Sequence, residues 1–410
     1  MTKYVFFNFP ASGHVNPTLA IVEELVARGD NGEVVYYLPE HFRPLIEATG
    51  ATFRAYPFEL FSRDQPPAFS SADGNKRLAM LPVYMIQQSA QKLPYLLETV
   101  RAEQADCIVY DSMFLWARFV AQILHIPAVG LRPSYAVSPT YAANTLNPFA
   151  RFAQSSPQSS PGMASLNDEL AQLSATYGLP LLDMRSVLMY AEPLMIVFLP
   201  RAFQPFGETF DERFLFVGPS LQSHRHEPNP FPLQALGEQP RLYISFGTVF
   251  NNQADFYNLC FAAFADTEWQ VILSTGRQVD QSLLDVAPQN FIVAPHVSQL
   301  EILPRTDIFI SHGGMNSTME SLYYGVPLII IPQINEQAVT AQRVQELGLG
   351  IALDRASVTA QVMHDAVDQI AHDPSFRTRV QAMQQQVRES GGYQRATDAL
   401  MQYARANAQK

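Results

Sequence analysis

Two α/β units, each a doubly wound parallel sheet flanked by helices, are what this sequence of 410 residues predicts. Three observations carry the expectation. Short apolar runs alternate with segments of helical period from the first residues onward. The alternation stops at a proline- and charge-rich stretch past the middle of the chain and then restarts. The length also exceeds what one ordinary core fills and favours two domains of roughly 200 residues each. With 47% apolar residues, both can be filled.

The elements follow in order. Tyr4–Phe9 reads as a strand, Pro17–Arg28 as a helix, Glu33–Leu38 as a strand and His41–Thr49 as a helix, which is βαβα order and hence a parallel sheet. A helical stretch over Val83–Ala102, the strand Cys107–Tyr110, the helix Met113–Leu124 and the strand Ala128–Leu131 continue it. Between them lie Pro57–Pro82 and Pro133–Ser165, rich in Pro, Ser, Phe, Tyr and Met and too long for simple connections, so a functional role is expected of them. The prolines and charges of His224–Pro232 mark a linker, placed at 223–238, that separates an N-terminal domain, 1–222, from a C-terminal one, 239–390. After Arg241 come the strand Leu242–Phe246, the helix Asp255–Phe264 and the strands Gln270–Ser274, Phe291–Ala294 and Ile308–Ser311. The helix Ser317–Tyr324, the strand Leu328–Pro332 and helices over Val339–Leu347 and Ala360–Ala371 complete the second unit. A last helix, Gln394–Ala406, follows a Gly391-Gly392 break; residues 391–410 are expected to pack back on the N-terminal domain. The two units are expected to face a central cleft.

Lys and Arg total 27 against 38 Asp and Glu, which argues against a general nucleic-acid binder, because no broad face compensates phosphate charge. A local phosphate site is still allowed. No apolar run approaches the ~20 residues that span a bilayer, and no basic or amphipathic anchor is evident. The first residues, with one cation and an apolar run broken by Asn8 and Pro10, read as a strand and not as a signal peptide. Cys107 and Cys260 make neither a disulfide framework nor a zinc set and fit buried thiols of a cytoplasmic protein.

Strand-end loops carry the chemistry. His14 lies in Gly13-His14-Val15-Asn16-Pro17, directly after the first strand. Asn16 as helix cap with Pro17 at the first helical position explains the segment without function, but a cap needs no histidine. At the carboxyl end of a strand in an open α/β sheet, an imidazole stands where such folds bind ligands, and it titrates near neutral pH as a general base should. Asp111 ends the strand Cys107–Tyr110 at the same edge. It suits a cap for the helix near Met113, and equally a carboxylate that orients an imidazole and stabilises its protonated form. In the second unit, His312-Gly313-Gly314-Met315-Asn316-Ser317 leads from a strand into a helix, so backbone N–H groups and a positive dipole end converge as for a diphosphate. Ser317-Thr318-Met319-Glu320 also matches a capping box, a structural account of Ser317 and Glu320. That account leaves out His312 with its glycines, and Glu336-Gln337 at another helix start. Ser245-Phe246-Gly247-Thr248 adds a third such turn.

On these residues the chain resembles the nucleotide-sugar-dependent glycosyltransferases of the GT-B fold, the family of bacterial macrolide glycosyltransferases and plant natural-product glucosyltransferases. The resemblance runs over nearly the whole chain. It is strongest from Ser298 to Leu353, through H-G-G-M-N-S-T-M-E-S-L-Y-Y-G-V-P and P-Q-I-N-E-Q, and includes G-H-V-N-P near the N-terminus. It implies that His14 is the base and Asp111 its partner. It implies further that His312, Gly314, Asn316 and Ser317, with Gly247 and Thr248 nearby, hold a diphosphate, that Glu320 holds a ribose, and that Glu336 and Gln337 hold sugar hydroxyls. Where the family shows an aromatic-x-Pro-Gln run against the base, this chain has His296-Val297-Ser298-Gln299, and where plant members carry Asp-Gln it has Glu336-Gln337.

The resemblance implies an inverting, metal-independent transfer of a sugar, expected to be glucose from UDP-glucose, to a hydroxyl of a hydrophobic acceptor such as a macrolide, flavonoid or other phenolic. No resident cofactor is expected, since the UDP-sugar is a co-substrate and no Asp-x-Asp offers metal ligands. The aromatic and Met-bearing N-terminal loops suit the walls of an acceptor pocket, or a core. The rival readings are a nucleotide-sugar epimerase on the same architecture and a non-catalytic auxiliary protein that keeps the fold.

Overall fold

The computed structural model describes residues 2–28, 32–58, 80–145, 161–221, 236–247 and 252–407. Two compact units emerge. The first comprises Met1–Leu221 together with Ser390–Lys410, and the second Gln222–Glu389. The linker at 223–238 lies outside the described residues up to 235, as do 59–79 and 146–160 of the two long loops and Thr248.

The first unit is built on a seven-stranded, wholly parallel sheet with the order β3-β2-β1-β4-β5-β6-β7. Its strands are β1 Lys3–Phe7, β2 Glu33–Leu38, β3 Thr52–Ala55, β4 Cys107–Asp111, β5 Ala128–Arg132, β6 Met195–Val197 and β7 Phe214–Phe216. The side-chain period of two divides each strand between two cores. Val5 and Phe7 of β1 and Ile108 and Tyr110 of β4 pack with the helices Ser89–Glu103 and Leu115–Leu124. Tyr4, Phe6, Cys107 and Val109 pack on the other face with the helix Ser12–Ala27. Burial on both faces is why these strands read as unbroken apolar runs.

The second unit has a six-stranded parallel sheet in the order β10-β9-β8-β11-β12-β13. The strands are β8 Arg241–Ser245, β9 Gln270–Ser274, β10 Phe291–Ala294, β11 Ile308–Ser311, β12 Leu328–Ile330 and β13 Gly350–Ala352. Its core joins Leu242, Ile244, Val271, Leu273, Ile308 and Ile310 to the helices Ala254–Phe264 and Ala360–His372. In both sheets the strand order reverses beside the first strand, between β1 and β4 and between β8 and β11. At such reversals the loops at the carboxyl ends diverge and leave a crevice.

The chain crosses back to the first unit at Gly391-Gly392, both with positive φ (91° and 56°), and Gly392 N–H donates to the Val217 carbonyl at 2.8 Å. The helix Gly392–Asn407 then lays Ala396, Leu400 and Ala404, spaced four apart, into the core that holds Leu19 and Val22. Arg28 pairs with Asp398 at its rim. Cys107 and Cys260 are both buried free thiols, pushed well up in pKa by burial. No helix among the described residues is long and apolar enough to cross a membrane.

Several boundaries differ from the sequence reading. The first helix begins at Ser12 and has Ala11 as its cap, so Asn16 and Pro17 lie inside it. The stretch Val83–Ala102 is two helices, Leu81–Gln87 and Ser89–Glu103. The break has a cause: the Met85 carbonyl accepts from Ser89 Oγ at 2.8 Å and from Trp116 Nε1 at 2.7 Å. β3, β6, β7 and β13 are three- or four-residue strands that carry too little pattern to be read alone.

Candidate functional site

His14 and Asp111 come together at the strand reversal of the first sheet. His14 sits in the first turn of the helix that leaves β1, and Asp111 is the last residue of the adjacent β4. Imidazole Nδ1 lies 2.5 Å from Asp111 Oδ2, with Asp111 only 1% exposed and the histidine side chain 21%. The other carboxylate oxygen, Oδ1, accepts the Met113 N–H at 2.7 Å. Asp111 therefore caps the turn after β4 and holds the imidazole at once. Holding Nδ1 with a buried carboxylate fixes the tautomer and directs proton transfer to Nε2. The helix-cap account of Asn16-Pro17 fails, because the helix is already under way at His14.

A buried polar network supports the imidazole from behind. Asn8 Nδ2 donates to the His14 carbonyl at 3.0 Å and to the Tyr36 hydroxyl at 2.8 Å, and Tyr36 meets Thr18 Oγ1 at 2.7 Å. The Tyr56 hydroxyl donates to the Asn8 carbonyl. Phe9 stands edge-on to the imidazole, its ring centroid 5.2 Å away. None of Asn8, Tyr36, Thr18 and Tyr56 was singled out from sequence. The one signal was the polar Asn8 at the end of an apolar strand. The aromatic residues Tyr56, Phe58 and Phe114 stack in turn, and Trp116 meets Phe58 and Phe114 edge-on, at the margin of the core.

The corresponding reversal in the second sheet brings Gly247, after β8, against His312, after β11. Gly247 has φ +71°, and a Cβ there would lie 2.7 Å from the imidazole Cε1. Gly313 has φ +84°, and a Cβ would lie 2.6 Å from Ile330 Cγ2. Only glycine meets both demands, so the loop hugs the sheet edge with bare backbone. The helix Met315–Tyr324 starts from Gly314 without a side-chain cap. Its first turn holds Asn316 and Ser317, and its positive dipole end faces outward as an anion-binding shape. The capping box expected of Ser317 and Glu320 does not form, because both residues lie inside the helix. His312 is half-buried with Nδ1 lacking a hydrogen-bond partner among the described residues, and burial lowers its pKa to about 4 against the opposing hydrogen bond to the Ser245 backbone. At neutral pH the imidazole is uncharged.

Gln299 joins this helix to the loop that holds half-buried His296 and buried Val297. Its Nε2 donates to Ser317 Oγ at 3.2 Å and to Glu320 Oε2 at 2.5 Å. Burial pushes the Glu320 carboxyl up to about 7, with the Gln299 hydrogen bond opposing. The folded state thus holds this proton more tightly than the unfolded chain, whose glutamate titrates at roughly 4.3. Stability is lost as pH rises from that value toward the folded pKa. Glu320→Gln is expected to raise the melting temperature above wild type at about pH 8 and to match it below about pH 5. A difference that stays constant with pH would mean that Glu320 titrates normally.

Gln337 is buried in the first turn of the helix Asn335–Glu346, beside half-buried Glu336. Its Oε1 accepts from the Gln333 N–H at 2.7 Å and the Ile334 N–H at 3.3 Å. The oxygen is a helix cap, and the amide Nε2 is the group left for other work. Two further residues, not anticipated from sequence, brace this loop. Gln253 Nε2 donates to Gln333 Oε1 at 3.0 Å, and Arg355 Nη1 donates to Gln253 Oε1 at 2.6 Å and also to Gln333 Oε1. They lie 80 and 22 positions from Gln333 in sequence, beyond any local pattern. Among the described residues no cluster of three or more His, Cys, Asp or Glu side chains forms a metal site.

The chain as a whole is similar to known proteins. Residues 259–391 match the model of the erythromycin biosynthesis protein CIII-like C-terminal domain. The chain is 37% identical over 394 residues to NDP-glycosyltransferase YjiC of Bacillus licheniformis, covering 96% of each. It is 30% identical to demethyllactenocin mycarosyltransferase of Streptomyces fradiae, over 98% of this chain and 86% of the other. Among solved structures, the calicheamicin glycosyltransferase CalG4 superposes with a TM-score of 0.84 at 31% identity, over 98% of both chains.

Proposed function

The chain belongs to the GT-B glycosyltransferase family that these relatives represent, and on that premise we propose that it transfers glucose from UDP-glucose, with inversion, to a hydroxyl of a hydrophobic small molecule. The observation that carries the chemistry is the 2.5 Å pair of His14 with a carboxylate 1% exposed. In the proposed reaction the acceptor O–H loses its proton to His14 Nε2 while its oxygen attacks the anomeric carbon and the diphosphate departs from the opposite face. Asp111 stabilises the imidazolium that forms. The leaving charge goes to the Gly313–Ser317 helix end, where N–H donors are held in place before the reaction begins. His312, Gly314, Asn316 and Ser317, with Gly247 and Thr248, are assigned to the diphosphate. Glu320 and Gln299 are assigned to the ribose, His296 and Val297 to the base, and Glu336 and Gln337 to the sugar. No cofactor is assigned. The relatives' names, which include those of a mycarosyltransferase and a calicheamicin glycosyltransferase, favour a natural-product acceptor and a transferase over an epimerase.

The test is transfer from UDP-glucose and TDP-glucose to a panel of macrolides, flavonoids and simple phenols, with the product's anomeric configuration read by NMR. A β-glucoside is expected. An α-glucoside would refute inversion, and an epimerised donor formed without acceptor would refute the transferase reading.

The cap at Gln337 sharpens the donor assignment. Gln337→Glu keeps the oxygen that accepts from Gln333 and Ile334 but removes the amide N–H donors. It is expected to raise KM for the sugar donor about tenfold or more while UDP affinity, measured by calorimetry, stays near wild type. Equal losses for UDP and the sugar donor would move Gln337 out of the sugar site.

A further inference from the structure

Arg132 ends β5, the neighbour of β4, and so stands at the same carboxyl edge as the His14–Asp111 pair. Its backbone is committed, with the carbonyl accepting from the Phe198 N–H at 3.0 Å. Its side chain is not. Arg132 as a residue is half-buried, its Nε is sealed from solvent without a hydrogen-bond partner, and no described residue hydrogen-bonds or ion-pairs with the rest of the guanidinium. The terminal nitrogens stay open to solvent. Buried or half-buried arginine normally has a carboxylate or carbonyl to receive its donors.

The charges around it explain why none does. Asp111 pairs in register with Leu131 and, by strand alternation, shares the sheet face opposite to Arg132. Both its oxygens are already taken, by His14 and by the Met113 N–H. Tyr110, on the face of Arg132, donates to Glu192 at 2.7 Å, and Glu192 also accepts from Tyr190 at 3.1 Å. The other buried arginine nearby, Arg118, donates to the Val187 carbonyl at 2.9 Å and lies 3.7 Å over the Tyr190 ring. Glu192 attracts Arg118. The oxygens of Asp111 and Glu192 thus have other hydrogen-bond partners, and none of them receives an Arg132 donor. Burial, reinforced by Arg118, disfavours the Arg132 charge, while Tyr110 and Asp111 oppose the effect.

We propose that Arg132 is a binding residue for a carboxylate on a small-molecule substrate, which docks against its terminal nitrogens at the edge that carries His14. A single guanidinium whose donors no described residue receives suits a monoanion, and its planar fork matches a carboxylate with two parallel hydrogen bonds. A dianionic phosphate would need a second free cation, which Arg118 is not. The inference rests on the reading of the first unit as the acceptor side. The carboxylate belongs either to the acceptor or to a uronate sugar, and the two sources are separable.

The experiment uses the full chain with matched probes: 4-hydroxybenzoate and 4-hydroxycinnamate against their methyl esters, and UDP-glucuronate against UDP-glucose with a neutral phenol. Wild type is expected to favour the acid member of one pair. Arg132→Gln is expected to reduce kcat/KM for that acid by about 10- to 100-fold while the ester or neutral sugar is unchanged, and Arg132→Lys to recover part of the loss. A loss confined to the phenolic acids assigns the carboxylate to the acceptor, and one confined to UDP-glucuronate assigns it to the donor. A wild type that discriminates neither pair, or a variant that loses acid and ester alike, would overturn the proposal, and the first of these needs no variant to fold. If no acceptor at all is glycosylated, it is the proposed function that has failed. Calorimetric binding of 4-hydroxycinnamate to wild type and Arg132→Gln then still reads the arginine, and equal affinities would overturn its role.

Discussion

Replacing His14 with alanine is expected to lower transfer to an unactivated alcohol by about 10²–10⁴-fold, the span of general-base catalysis. The imidazole is held at Nδ1 by Asp111 and its main chain is held by Asn8, so the loss is of a placed base and not of a loosely tethered one. Folding and UDP affinity are expected to stay close to wild type, since the diphosphate loop belongs to the other unit. The loss should shrink as the acceptor becomes more acidic, because a phenolate or thiolate needs no base. Rates with an aliphatic alcohol, a phenol and a thiophenol, for wild type and His14→Ala, make the check. Near-full activity on the aliphatic alcohol would remove His14 from the chemistry.

Asp111→Asn is expected to be almost as damaging, about 10²–10⁴-fold, although it changes one atom. The geometry dictates this. The Met113 N–H, 2.7 Å from Oδ1, requires an oxygen at that position, so the amide NH₂ must occupy the Oδ2 position that faces His14 Nδ1. An N–H donor there forces Nδ1 to accept, which puts the imidazole proton on Nε2 and blocks the nitrogen that should receive the acceptor's proton. The alternative amide orientation sets an N–H against the Met113 N–H and costs a partly buried hydrogen bond, about 1–3 kcal/mol. Asp111→Ala loses the orienting charge without imposing the wrong tautomer. It is expected to be no more than equally inactive while being less stable. Activity that survives in Asp111→Asn with an unactivated alcohol would mean that the carboxylate is only a cap.

Much of this was legible in the chain because parallel sheets write themselves plainly. Strands such as Cys107–Asp111 and Ile308–Ser311 are buried on both faces, so they stand out as apolar runs, and the residues just past them fall at a sheet edge by topology. His14, Asp111, His312 and Gly313 were found that way. What escaped was whatever depends on a contact distant in sequence. Met195–Val197 is a strand because the longer β5 pairs with it, and Phe214–Phe216 because it adds to that extended sheet edge, not because three residues specify extension. The cap of the first helix was misread because Asn16-Pro17 is a good helix start locally. Ala11 became the start because the turn after Phe9 closes earlier, with His14 N–H donating to the Ala11 carbonyl at 2.8 Å. Arg355 and Gln253 brace the Gln333 loop from far along the chain, and Arg132, just past the strand read as Ala128–Leu131, carried no local signal that set it apart.

The return of the chain at Gly391-Gly392 has a consequence for how the protein is made. During synthesis the stretch 1–221 leaves the ribosome first, but the core on one face of its sheet still lacks Ala396, Leu400 and Ala404. The second unit, a single uninterrupted stretch, has all its strands as soon as Ala352 is out, and all its residues by Glu389. The usual order, in which the N-terminal domain settles first, is therefore inverted in its last step. The half that carries the histidine waits, with an apolar groove open along the helix Ser12–Ala27, until almost the whole chain has been translated. Ribosome-stalled chains of increasing length should show the second unit resisting protease before the first does. A premature stop near residue 390 should therefore harm the part of the molecule that was made first.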